Sequence, residues 1–480
     1  MIAFDNTYTS LPGKFYVRVR PEQVTHPQLF AFNDELAREL GMDLSSISDE
    51  KRAALFTGQA LPEGASSISL AYAGNQFGQF NPQLGDGRAL LLGEVKAPDG
   101  QRYDIQLKGS GTTPWSRGGD GKSWVGPVIR EYILSEAMHH LGVPTTRALA
   151  AATTGDPVYR ESALPGGILT RVASSHIRIG TFEFFAARRD VESLRLLADY
   201  SIERHYPQCN QAANPYLAFL EAVGRKHAAL VAKWMSLGFI HGVMNTDNMS
   251  ISGETIDYGP CAFMDTFSDD KVFSSIDRGG RYAYGNQLRI AQWNLAQLAN
   301  CLVPLVDPDI NSSVEKLQEC MSQLMGAYDE EWLGAMAAKF GIFEPGNEDA
   351  KIVQAFLSYL EGEKLDFTIE FRRLIGDDGI NSRDDSQVSD DFRRMWHQRL
   401  EKQAHSLEQA RERMRQSNPV YIPRNHQVER AIQSGVVGDY SVFERMNECL
   451  KAPFERREEF AEFERPPEPG EVVRATFCGT

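Results

Sequence analysis

The stretch from 241 to 259 begins His241-Gly242-Val243-Met244-Asn245-Thr246-Asp247-Asn248 and ends Asp257-Tyr258-Gly259. Asparagine and aspartate are hard oxygen donors, so Asn248 and Asp257 suit Mg²⁺, the ion that neutralises phosphate charge during group transfer. Asp247 beside them is a carboxylate able to accept a proton. Upstream, Lys108 would set a point charge on phosphate oxygens, and Glu131 would hold its ammonium in place. The chemistry suggested is therefore nucleotide chemistry with a divalent cation. Better-known phosphate motifs are incomplete. Gly85-Asp86-Gly87 opens like a dinucleotide fingerprint, but residue 90 is Leu. Gly121-Lys122-Ser123 closes like a Walker loop, yet Ser116 stands where the leading glycine belongs. His139 and His140 are adjacent rather than one helical turn apart, as a zinc helix would need.

These residues need elements to hold them. Arg88 to Val95 is an apolar run, Ala97-Pro98-Asp99-Gly100 carries turn chemistry, and Arg102 to Lys108 alternates. That pattern predicts a β-hairpin. Tyr103, Ile105 and Leu107 share one face of the second strand, and Asp104, Gln106 and Lys108 the other. After the Gly-rich GSGTTPWSRGGDGKS a helix is expected from near Ser123, with Val128, Glu131, Tyr132, Ser135 and Met138 on one inward stripe. A second helix is marked over Pro215 to Leu237 by Asn214 as N-cap, Pro215 in the first turn and Gly238 at the stop. Met249-Ser250-Ile251 and Thr255-Ile256 read as two very short strands. From about Gln287 to Arg415 the pattern is largely helical.

At 480 residues, 42% hydrophobic and 24% charged, the chain can bury a core without a disulfide or metal staple. By length alone it suggests about three units. Its formal charge of −15 argues against a nucleic-acid binder, but leaves room for a locally basic cleft. Met1-Ile2-Ala3-Phe4-Asp5-Asn6 does not read as a secretory signal, and no apolar run reaches the ~18 residues that span a bilayer. The 6 cysteines, with no CxxC pair, suit reduced thiols. The expectation is a cytoplasmic protein with neither membrane nor nucleic acid as partner.

The order of the parts is the layout of a protein-kinase-like ATP site. A glycine turn and a hairpin ending in lysine come first, then a helix with an inward glutamate, a loop from His to Asn, and an Asp-aromatic-Gly. A kinase loop reads H-R-D-L-x-x-x-N. Here His241 and Asn248 keep their spacing, but Val243 occupies the base position and cannot accept a proton. The metal-binding half survives without the usual base.

Seven segments in order closely resemble the selenoprotein O (SelO/YdiU) family of kinase-like protein adenylyltransferases. They are FDNTYTSLPGKFY, LAYAGNQFGQFNPQLGDGRALLLGE, IQLKGSGTTPWSRGGDGKS, ILTRVASSHIRIGTFEFF, GFIHGVMNTDNMSISGETIDYGPCAFMD, GRYAYGNQLRIAQWNLAQLA and NPVYIPRNHQVERAI. The resemblance covers essentially the whole chain. It implies an α+β, protein-kinase-like bilobal fold. An N-terminal extension would cover 1–80, a β-rich N-lobe 81–165, a mainly helical C-lobe 166–375, and a helical extension and tail 376–480. It also implies ATP bound in a flipped orientation, with AMP passed to Ser, Thr or Tyr hydroxyls of proteins and pyrophosphate released. Gly85, Gly87, Arg88, Lys108, Asp120, Gly121, Arg171 and Arg178 carry over as nucleotide contacts. Asp247 carries over as proton acceptor, Asn248 as ligand of Mg²⁺ or Mn²⁺, and Asp257 as ligand of both metal and nucleotide. Four cations for one nucleotide suit a pyrophosphate held deep in the pocket. Two alternatives stay open at this point: an ordinary ATP-dependent kinase using Asp247, and a catalytically silent nucleotide-binding module. Near-terminal Cys478 corresponds to the family's selenocysteine or cysteine position, which implies a redox role.

Overall fold

A computed structural model describes residues 2–376 and 390–477. Cys478 lies outside the described residues. The strands are β1 (Tyr16–Arg18), β2 (Gln28–Phe32), β3 (Ile68–Leu70), β4 (Gly74–Gln76), β5 (Gln79–Asn81), β6 (Ala89–Lys96), β7 (Arg102–Lys108), β8 (Ser123–Trp124), β9 (Arg147–Tyr159), β10 (Ala163–Ala173), β11 (Phe239–Ile240) and β12 (Ala262–Phe263). The main sheet runs β1-β3-β6-β7-β10-β9-β2, with β8 also on β10. Its ladders are antiparallel, so the fold is α+β with helices making up most of the chain after β10.

The sequence-predicted hairpin is β6–β7, closed at Ala97 to Gly100, where the Gly100 N–H donates to the Ala97 carbonyl at 2.9 Å. Lys108 pairs with Leu169 and Gln106 with Arg171 across β7–β10. Directly opposed residues share a face, so this register alone brings Arg171 beside the alternating set Asp104, Gln106 and Lys108.

The Glu131 helix spans Val125–His140 and starts two residues later than expected, because Ser123 and Trp124 pair with β10 instead. Apart from Pro127, residues 125 to 138 are all buried, not one stripe alone. The sheet covers one side, and Val428, Ala431, Ile432, Phe443 and Met446 of helices Asn425–Val436 and Ser441–Leu450 cover the other. Arg130, which faces these helices, bonds to Asn425 Oδ1 at 3.1 Å and pairs with Glu429. Local periodicity could not show this cover, because it arrives from some 300 residues downstream.

The Pro215–Ser236 helix begins as predicted, with Asn214 Oδ1 accepting from Leu217 N–H at 3.2 Å. It stops before Gly238, at φ +70°. The expected strands at 249–251 and 255–256 reduce to a single bridge, Met249 to Thr255. Only three residues separate the two runs, and their other backbone bonds go to two different segments, with Thr255 N–H donating to Pro144 O at 2.9 Å and Thr146 N–H to Thr255 O at 3.0 Å. Ile179 N–H donates to Met249 O at 3.0 Å and Ile251 N–H to Ile177 O at 3.1 Å, flanking an Arg178–Ser250 bridge. Arg178 is thereby joined to the loop that carries Asp247.

A second buried polar network braces the sheet. Asp104, 3% exposed, accepts from the His176 backbone and ring at 2.9 Å each and from Arg204 at 2.6 Å. Burial by itself would raise its pKa, but Arg204 and His176 outweigh burial and lower it to about 2. Asp104→Asn is expected to cost about 3–5 kcal/mol at pH 7, because Arg204 loses a buried counter-charge. The folded pKa lies below the unfolded 3.8, so the stabilisation is complete above that value and lost as pH falls toward about 2. Urea unfolding of both proteins should show the gap narrowing in that window.

Candidate active site

Ten of the predicted residues line one cavity of about 510 Å³: Gly85, Gly87, Arg88, Lys108, Asp120, Gly121, Arg171, Arg178, Asn248 and Asp257. At its inner end three cations converge on Asp257. Lys108 Nζ lies 2.8 Å and Arg171 Nη1 2.7 Å from Oδ1, while Arg178 Nη1 lies 2.6 Å from Oδ2. Glu131 joins from behind, 2.6 Å from Lys108 and 3.1 Å from Arg171. Arg171 is turned into place by its Nε donating to Gln106 Oε1 at 2.7 Å. Burial opposes the charge on Asp257, but Lys108, Arg171 and Arg178 prevail and hold its carboxyl well below the usual range. Asp257 has φ +65°, a left-handed turn that a short polar residue tolerates.

Arg178 is a hub. It donates to the Asp247 carbonyl at 2.6 Å, approaches Asp86 at 3.7 Å and lies 4.6 Å from the centre of the Tyr72 ring. Asp86 is buried, with Oδ2 accepting from Leu70 N–H and Gln106 Nε2 at 3.2 Å each. Burial raises its pKa, against the pull of Arg178 and Arg171.

Glycine 85 has a structural cause of its own. At φ +70° it presses on the Trp115 indole, where any Cβ would overlap the ring. The SRGGDGKS segment packs on this turn and forms the outer rim. There Asp120 pairs with Arg160 at 2.8 Å, and Gly121 O accepts from Gly111 N–H at 3.1 Å.

Asp247 and Glu131 are not on the cavity wall. Asp247 is 7% exposed, beneath the β4–β5 hairpin, with Gln76 Nε2 3.2 Å from Oδ2. Burial lifts its pKa to about 6, with Arg178 opposing. Asn248 lies on the wall and donates through Nδ2 to Val243 O at 2.9 Å, which directs its amide nitrogen away from ligand duty. Val243 is also on the wall. His241 is buried, its Nε2 2.9 Å from Ile256 O, where it braces the residue before Asp257. Cys261 is buried, and among the described residues no two cysteines form a disulfide.

The metal question turns on donor chemistry. Among the described residues no group of three His, Cys, Asp or Glu forms a ready cage. Two oxygen donors, Asn248 and Asp257, on one cation-rich wall are of the type that Mg²⁺ or Mn²⁺ takes, ions that commonly complete their shell with phosphate oxygens and water.

Sequence reasoning missed Tyr72, Asp86, Trp115, Arg117, Lys122 and Arg160 on the wall. Asp86, Trp115, Arg117 and Lys122 stand inside segments already singled out, so proximity to the glycines was an available signal. Tyr72 stands in the same quoted segment as Asp86 but far from its glycine turn, and Arg160 lies outside every segment singled out. The wall carries seven cationic and three acidic side chains, so a protein of net charge −15 concentrates positive charge here. No carboxylate among the described residues pairs with Arg88 or Arg117.

Similarity to known proteins extends over the whole length of the chain. The family model described as protein adenylyltransferase SelO matches residues 1–451. A protein nucleotidyltransferase YdiU of Rhizobium etli is 51% identical, over 100% of this chain and 97% of its own. Those of Ruegeria sp. and Agrobacterium fabrum are 52% and 50% identical, over 100% of this chain and 99% and 100% of theirs. Among the described residues no helix is long and apolar enough to cross a membrane. With a match of this length, the chain belongs to the SelO family of protein adenylyltransferases.

Proposed function

We propose that this protein transfers AMP from ATP to Ser, Thr or Tyr hydroxyls of proteins, with ATP flipped so that its β- and γ-phosphates enter the cavity first. The observation that carries the reading is the convergence of Lys108, Arg171 and Arg178 at the inner end, with Val243 where a kinase keeps its base. A polyphosphate entering there meets more cations than a carboxylate alone requires. The pyrophosphate becomes the leaving group, and preorganised guanidinium forks stabilise the charge that develops on it.

In this reading residues 81–165 and 166–375 act as the two lobes of a kinase-like core. Arg88, Gly85, Gly87, Asp120 and Gly121 would contact the outer part of the nucleotide, and Lys108, held by Glu131, its inner phosphates. Asn248 and Asp257 would hold Mg²⁺ or Mn²⁺, which when bound neutralises phosphate charge. The acceptor oxygen bonds to the α-phosphorus as the bond to the pyrophosphate oxygen breaks. Its proton passes to Asp247, whose raised pKa suits a base near neutrality.

ATP labelled separately at the α- and γ-phosphates tests this. Protein substrate should acquire α-label and no γ-label. Incorporation of γ-label alone would establish a kinase, and incorporation of neither would favour the silent nucleotide-binding module.

A further inference from the structure

Asp247 receives one side-chain hydrogen bond among the described residues, and its donor belongs to the β4–β5 hairpin. Gln76 Nε2 holds Oδ2, while Oδ1 is buried without a partner. Strand alternation sets this up: Gly74 and Gln76 share the face toward Asp247, and Asn75 points the other way. Asn75 anchors that other face, with Nδ2 2.5 Å from Glu183 Oε1 and its N–H 2.7 Å from Thr246 Oγ1.

The turn is equally constrained. Phe77 has φ +52°, and its N–H donates to Asn245 Oδ1 at 3.2 Å and to the Tyr282 hydroxyl at 3.1 Å. A bulky residue held left-handed is strained by about 1–3 kcal/mol and persists only where its surroundings enforce it. A Cβ at Gly74 would overlap Asp247 Oδ1 and lie 2.8 Å from its Cγ. Residue 74 therefore leaves its space to that oxygen.

We propose that Gln76 is a positioning residue for the carboxylate of Asp247: it holds Oδ2 and so fixes the rotation of a carboxylate whose other oxygen is packed against Gly74. The inference rests on the AMP-transfer reading. Arg178 already fixes the backbone of residue 247 through its carbonyl at 2.6 Å. The remaining freedom is rotation of the side chain, and Gln76 removes it. In the step, the hydroxyl proton moves to the Asp247 carboxylate while the hydroxyl oxygen bonds to the α-phosphorus, and pyrophosphate departs with the electron pair of the broken bond.

Initial rates of α-label transfer across a range of ATP concentrations test the role. Gln76→Leu should lower kcat about tenfold, as expected for a loosened catalytic group, with KM for ATP within about twofold. Gln76→Glu should lower kcat further, because two carboxylates then face each other. Gly74→Ala meets no left-handed backbone, so its expected loss of kcat reports the filled space. The thermal shift on adding ATP should match wild type in all three, which separates positioning from misfolding. An unchanged kcat in Gln76→Leu, or a raised KM with kcat intact, overturns the proposal. If wild type transfers γ-label but not α-label, the AMP-transfer reading fails instead, and the kcat of Gln76→Leu for that phosphoryl transfer still decides the positioning.

Discussion

Asp257→Asn is expected to lower AMP transfer about 10³-fold or more, because one change removes the negative charge at the centre of the cation cluster and, on the proposed reading, the charge that a bound metal would face. It also leaves Lys108, Arg171 and Arg178 facing one another, with Glu131 and Asp86 as the nearby acids. Removing one partner from a buried charge cluster typically costs about 3–5 kcal/mol. An anion entering the cavity should restore much of that loss. With a chelator present, pyrophosphate should raise the thermal midpoint of Asp257→Asn by more than that of wild type. Equal shifts in the two proteins would mean that the three cations are not the pyrophosphate site.

Arg178→Met is expected to reduce transfer at least about 100-fold and to destabilise the fold by about 3–5 kcal/mol. The side chain is fully buried, and its loss strips a donor from Asp257, from the Asp247 carbonyl and from the neighbourhood of Asp86. Arg178→Lys should rescue little, since one ammonium cannot span groups that a planar guanidinium reaches together. The stability loss should also depend on pH. Asp86 already holds its proton more tightly when folded than when unfolded, and losing Arg178 would strengthen that bias. A carboxyl with a raised folded pKa destabilises once pH rises above its unfolded value, so the gap from wild type should widen from pH 4 upward. Urea midpoints measured across that range check the sign, and a gap that narrows with rising pH would remove Asp86 from the account.

The hairpin, the Glu131 helix and the Pro215 helix were legible because each depends on short-range signals: alternation, a turn sequence, a cap. The order of Lys108, Glu131, Asn248 and Asp257 was legible for the same reason, as one residue on each local element. Arg160 was not, because nothing in its immediate neighbours marks it, and Tyr72, although inside a quoted segment, carries no phosphate-like chemistry of its own. Both sit just past strand ends, Tyr72 after β3 and Arg160 after β9, and reach the cavity because those strands bring them there. The supposed strands at 249–251 and 255–256 misled because, beyond one bridge between them, the first satisfies its backbone on Ile177 and Ile179 and the second on Pro144 and Thr146.

Amino-acid order alone thus specified which groups are available for phosphate chemistry, and the absence of a proton acceptor at Val243. It did not specify how those groups are charged or shielded. Asp247 and Gln76 meet across 171 residues, and Lys108 and Asp257 across 149. Desolvation and ion pairing act through space at a few ångströms, so the raised pKa of Asp247, the lowered one of Asp257 and the all-round burial of the Glu131 helix arise only when distant segments close on one another.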